Sequence, residues 1–123
     1  MNESGTPQDL EKLKIFWLES AEKDYKTMLD LRRTNHNHWS LFMGHLVIEK
    51  LLKALYIKER NTFPPMIHDL RRIGEKAGLQ INERQKSLLD SITRFNIKAR
   101  YDDYNLAFTN YVLMTSLKTG SKT

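Results

Sequence analysis

The chain of 123 residues contains no cysteine. That excludes disulfides and thiolate-held metals, and it predicts a reducing compartment, the cytoplasm. Glycine is scarce: five residues, spread singly, form no Walker loop, nucleophile elbow or Gly-rich phosphate loop. Long hydrophobic runs are missing too. His45, Glu49, Lys50 and Lys53 interrupt the most apolar stretch, Trp39 to Tyr56, so it reads as no membrane span. The opening MNESGTPQDL has neither the basic nor the apolar region of a signal peptide. No stretch alternates with period two, so strands are not expected.

The length suits one domain with a single core. The formal charge of +5 is uneven: residues 1–33 carry a net of −1 and residues 34–123 a net of +6. A basic body attracts phosphate groups without distinguishing RNA, nucleotide or an acidic protein. Charge of this size also serves solubility alone.

Helical periodicity dominates. Thr6 is placed as an N-cap, with Pro7 at the first helical position and Asp9 three residues after the cap. From there Leu10, Leu13, Trp17, Ala21, Asp24, Met28 and Leu31 recur every three to four residues, with Tyr25 and Leu29 widening the stripe. After a connector at Thr34–Asn37, a second helix runs from about His38 to Arg60, and Pro64-Pro65 ends it. A third is predicted from Met66 to Ala77, closed by Gly78 as a left-handed residue. Asn82 and Gln85 form a capping box for a fourth, with Leu88, Leu89, Ile92 and Phe95 inward. Asp102 or Asp103 then caps a fifth, with Tyr104, Phe108, Tyr111, Val112 and Met114 on its face. The expected fold is all-α, an antiparallel up-and-down bundle of four to five helices over residues 6–118. Residues 1–5 and 119–123 are expected to be disordered.

Three groups carry unusual polar residues. His45, Glu49 and Lys53 lie every four residues along the second helix and form one stripe. On a helix apolar nearly all round, such a stripe is either a satisfied internal network or one wall of a site. In Pro64-Pro65-Met66-Ile67-His68-Asp69, Asp69 suits a helix start, and His68 suits a base or a plain hydrogen-bonding role. In Ala99-Arg100-Tyr101-Asp102-Asp103-Tyr104, the Arg can pair with phosphate or a carboxylate, while the Asp pair suits caps. The four histidines, at 36, 38, 45 and 68, show no metal spacing, so no metal site is expected.

Taken together, GHLVIEKLLKALYI, FPPMIHDLRRIGEKAGL and ARYDD resemble the HEPN family in order and spacing, over nearly the whole chain. These are small helical domains named for higher eukaryotes and prokaryotes and for nucleotide binding. The resemblance implies a helical bundle, commonly a homodimer. It also implies a nucleotide ligand or a small partner nucleotidyltransferase, in two-component modules of toxin–antitoxin or defence type. The family further resembles the helical domain that accompanies aminoglycoside nucleotidyltransferases.

Other members are metal-independent ribonucleases with an Arg, four to six residues, then a His near the last helix. Here Arg100 is followed by YDDYNLAF and by no histidine at all. Arg33 and His38 match that spacing, but in the first connector. The motif resembled instead is Arg-Tyr-Pro-Asp, with Asp102 where proline usually stands. Arg100, Tyr101 and Asp103 match it, and His45, Glu49, Lys53, His68 and Asp69 match the other family positions. The resemblance implies a non-catalytic protein with no catalytic residues assigned and no cofactor beyond the nucleotide. Arg100 and Lys53 would contact phosphate, and Tyr101 would stack or hydrogen-bond. Tyr101 or Tyr104 would be the site if the partner nucleotidylates a tyrosine. A ribonuclease toxin centred on Arg100 with His45 or His68 is the enzymatic alternative. A plain oligomerisation module is the third.

Overall fold

A computed structural model describes the backbone of residues 6–120 and the side chains of residues 6–98 and 110–115. It contains four helices: α1 (Pro7–Arg33), α2 (Asn37–Arg60), α3 (Leu70–Lys76) and α4 (Glu83–Gly120). The described residues contain no strand. No described helix is long and apolar enough to cross a membrane.

Local chemistry sets the helix ends. Thr6 Oγ1 accepts from the Asp9 N–H at 3.1 Å, and Pro7 follows it. α1 closes through Asn35 at φ 63°, with His36 N–H donating to the Leu31 carbonyl at 2.8 Å. Gly78 repeats that closure after α3 at φ 94°, and Leu79 N–H reaches the Gly74 carbonyl at 3.0 Å. The box before α4 is reciprocal: Gln85 N–H donates to Asn82 Oδ1 at 2.8 Å, and Asn82 N–H donates to Gln85 Oε1 at 3.0 Å.

Two boundaries differ from expectation. α3 begins at Leu70 rather than Met66, because Asp69 stays extended (φ −78°, ψ 107°) and its side chain accepts from the Arg72 N–H. Asp69 is thus the cap of α3. The expected fourth and fifth helices are one helix. Residues 96–104 contain no glycine or proline, so nothing ends the helix where an Asp pair suggested a new start. α4 runs as far as Gly120.

α2 is the central element: it meets α1, α3 and α4, whereas among the described residues α1 meets only α2. Gly44 allows the α1–α2 approach, since a Cβ there would lie 3.3 Å from Met28 Sδ. Beside it, Ser40 Oγ donates to the Met28 carbonyl at 2.9 Å. Leu10 and Ala21 are buried, and Leu13, Trp17, Asp24, Met28 and Leu31 are half-buried, as the stripe predicted. Tyr25 and Leu29 are instead exposed, as are Leu41 and Leu51 of α2 and Leu88 of α4. So too are Tyr111, Val112 and Met114.

The core joins Leu52, Leu70 and Ile73, with Ile48, Ile67, Leu89 and Ile92 packed against it. Each such aliphatic side chain contributes about 1.5–3 kcal/mol on full burial. This cluster seats α3, and the connector before it, against the polar stripe of α2.

Candidate functional site

The stripe of α2 faces inward. His45, Glu49 and Lys53 are all buried, and Glu49 is their hub. Lys53 Nζ donates to Glu49 Oε2 at 2.9 Å from one turn further on. His68, on the connector before α3, brings Nδ1 to 3.1 Å from Oε2 and 3.2 Å from Oε1. His45 Nδ1 lies 3.6 Å from Oε1, and His45 Nε2 lies 3.2 Å from the His68 carbonyl. A carbonyl only accepts, so His45 Nε2 carries a proton. His68 is therefore held twice by α2: its backbone by His45 and its ring by Glu49.

Burial pushes the Glu49 carboxyl up, but hydrogen bonds and charge from Lys53 and His68 outweigh that and hold its pKa below 4.5. The group is an ionised, buried carboxylate. Lys53 has a second neighbour, the Trp17 ring of α1, with Nζ 5.3 Å from its centroid. Both contacts keep the ammonium from solvent.

His68 is the outlet of the cluster. Its side chain is 62% exposed, although the Glu49 it touches is closed off. An ionised carboxylate accepts, so His68 Nδ1 carries a proton and donates it in the hydrogen bond to Glu49. The arrangement presents an oriented imidazole at the surface, backed by a fixed negative charge. It can hydrogen-bond a ligand or take up a proton.

The HEPN-domain family model matches residues 15–119, a span that reaches from the third turn of α1 almost to the end of α4. The chain belongs to the HEPN family. No curated protein and no solved structure matches it.

Of the residues singled out in this HEPN chain, His45, Glu49, Lys53 and His68 form one connected group. Asp69 stands apart from it: its carboxylate caps α3. Arg100, Tyr101, Asp103 and Tyr104 lie along α4, and their side chains are outside the described residues. No three described His, Asp or Glu side chains are grouped to hold a metal.

Sequence reasoning missed three contributors. Trp17 looked like core, since an aromatic residue on an apolar stripe gives no sign of a cation above it. Thr93 Oγ1 accepts from the Leu70 N–H at 3.2 Å and ties the start of α3 to α4. Asp24, the lone polar residue of the α1 stripe, pairs with Lys50, whose Nζ also reaches Ser20 Oγ at 2.7 Å. Its polarity on an apolar face was the signal.

Proposed function

We propose that this HEPN protein is non-catalytic. It binds a nucleotide, or a partner nucleotidyltransferase, in a two-component module of toxin–antitoxin or defence type in the cytoplasm. The observation that carries this reading is His68: an exposed imidazole fixed from beneath by the buried Glu49. Arg100 supplies the phosphate contact, and Tyr101 stacks on or hydrogen-bonds to the ligand. Lys53 is occupied by Glu49 and Trp17, so its part is to hold the Glu49 carboxylate in place. The protein works as a homodimer, and Tyr101 or Tyr104 is the residue a nucleotidyltransferase partner modifies.

Titration calorimetry with the four ribonucleoside triphosphates, and co-purification with the partner, test this. Arg100→Ala should weaken binding by about tenfold or more, the loss of a charge-assisted contact. Its helical circular dichroism and melting should stay close to wild type. A large loss of stability would make Arg100 a structural residue instead.

One observation favours a second reading, a ribonuclease with an atypical centre. A carboxylate–imidazole pair such as Glu49–His68 is the arrangement a general base needs to take a 2′-hydroxyl proton. In that case nuclease-free protein cuts RNA, and His68→Ala and Arg100→Ala each abolish cutting. Equal cutting by wild type and both variants would remove it.

A further inference from the structure

Asn96 of α4 is 2% exposed, and its Nδ2 has no hydrogen-bond partner among the described residues. A buried amide donor left unmet is costly, and native chains keep few of them. Its surroundings follow from its neighbours on α4. One turn earlier, Thr93 Oγ1 accepts from the Leu70 N–H, so this face of α4 looks onto the connector that carries His68. Leu89 and Ile92 pack on the Leu52 cluster, whereas Phe95 meets His38 at the start of α2, with ring centroids 5.4 Å apart. α4 therefore runs antiparallel to α2. Asn96 comes level with the part of α2 between His38 and Ile48, where His45 Nε2 lies 3.2 Å from the His68 carbonyl. Arg100 stands one turn further along α4.

The unmet group is a carboxamide, which pairs two N–H donors with an acceptor oxygen. That pattern matches the donor and acceptor set side by side on the edge of a nucleobase. A phosphate carries charge, and a place this closed to water suits it poorly. A base is flat, and its faces stack on aromatic rings. Such a ring lies next to Asn96 in the chain: Phe95 is half-buried, and the ring against it is that of His38, an exposed residue. A base that took the place of the imidazole would stack on Phe95 and reach the neighbouring carboxamide with its edge.

We propose that Asn96 is the base-reading residue of this protein. Its carboxamide pairs with the edge of a nucleobase stacked on Phe95, while the phosphates stay at the surface with His68 and Arg100. The proposal rests on the nucleotide-binding reading above and adds to it the residue that meets the base. The amide is unpaired in the free protein because its partner is the ligand.

The test sets the four ribonucleoside triphosphates against inorganic tripolyphosphate, which keeps the charge and lacks the base. Titration calorimetry on wild type should show at least one ribonucleoside triphosphate binding about tenfold or more tighter than tripolyphosphate. Asn96→Leu should remove most of that margin and leave the affinity for tripolyphosphate unchanged. Phe95→Leu, which removes the ring and keeps an apolar side chain, should narrow the margin as well. Leucine has nearly the volume of asparagine and no polar atom. Ligand-free Asn96→Leu should therefore melt at or above the wild-type temperature. A clearly lower melting temperature would show that the fold itself pairs the amide, and it overturns the proposal. A wild type that binds tripolyphosphate as tightly as any nucleotide, or a margin unchanged in both variants, overturns the base-reading role while nucleotide binding stands. A wild type that binds no nucleotide overturns the proposal together with the reading it rests on.

Discussion

The Glu49 carboxylate lies 2.9 Å from the Lys53 ammonium, one turn further along α2, and the two side chains are only 7% and 9% exposed. An ion pair this far from solvent adds little net stability over apolar residues of the same shape, yet breaking it strands a charge. Its retention at the centre of the bundle fits a group that positions something else. That something is His68, whose ring the same carboxylate holds at the surface.

Glu49→Leu therefore leaves Lys53 buried without its carboxylate and should cost about 3–5 kcal/mol of stability. The double change Glu49→Leu/Lys53→Met should recover most of that loss, because no charge is then stranded. Urea denaturation of the two single variants and the double one measures both. A double variant as unstable as Glu49→Leu would mean that the polar network itself holds α2 to the connector.

Stability should also depend on pH through Glu49. Its folded pKa lies below the ordinary value of 4.5, so the folded state binds this proton less readily than the unfolded chain. Between the two values the unfolded chain holds more protons, and stability rises with pH. The contribution is complete above the unfolded value and is lost as pH falls through the lowered one. Urea midpoints taken from about pH 5 down to about pH 3 should fall more steeply for wild type than for Glu49→Gln. Parallel curves would show that the carboxylate is not held in its charged form.

Gly78 is a position where the backbone itself demands glycine. Its φ is 94°, and a Cβ there would meet Arg60 Nη2 at 3.2 Å, while Arg60 Nε caps the Lys76 carbonyl at 2.8 Å. Gly78→Ala should cost about 1–2 kcal/mol, from left-handed strain together with the displaced guanidinium. Thermal melting measures it, and an unchanged midpoint would mean that the turn after α3 relaxes freely.

The caps at Thr6, Gly78 and Asn82 were legible in the sequence because each rests on a bond within a few residues. The inward stripe of α2 was legible for the same reason: spacing of four puts His45, Glu49 and Lys53 on one face. Contacts between distant segments were not. Nothing in the chain says that His68 meets Glu49 or that Trp17 lies beside Lys53, since those pairings depend on how the helices cross. The boundary between the last two predicted helices failed for a different reason. Asp102 and Asp103 suit a cap, but a cap residue starts a helix only where the preceding one has stopped. Tyr25 and Leu29 were assigned to the inner face of α1 because sequence spacing alone does not separate one broad stripe from two adjacent ones.

The most direct test of a binding role for the Glu49–His68 cluster is affinity purification of the tagged protein from its native cells. Wild type and His68→Ala would be compared, with mass spectrometry of the proteins and nucleotides that elute. The predicted result is a nucleotidyltransferase at near-equal stoichiometry, or bound nucleotide, with wild type and its loss from a His68→Ala protein of unchanged melting temperature. A wild-type protein that elutes alone and nucleotide-free, or a His68→Ala variant that keeps the same companion, would contradict it.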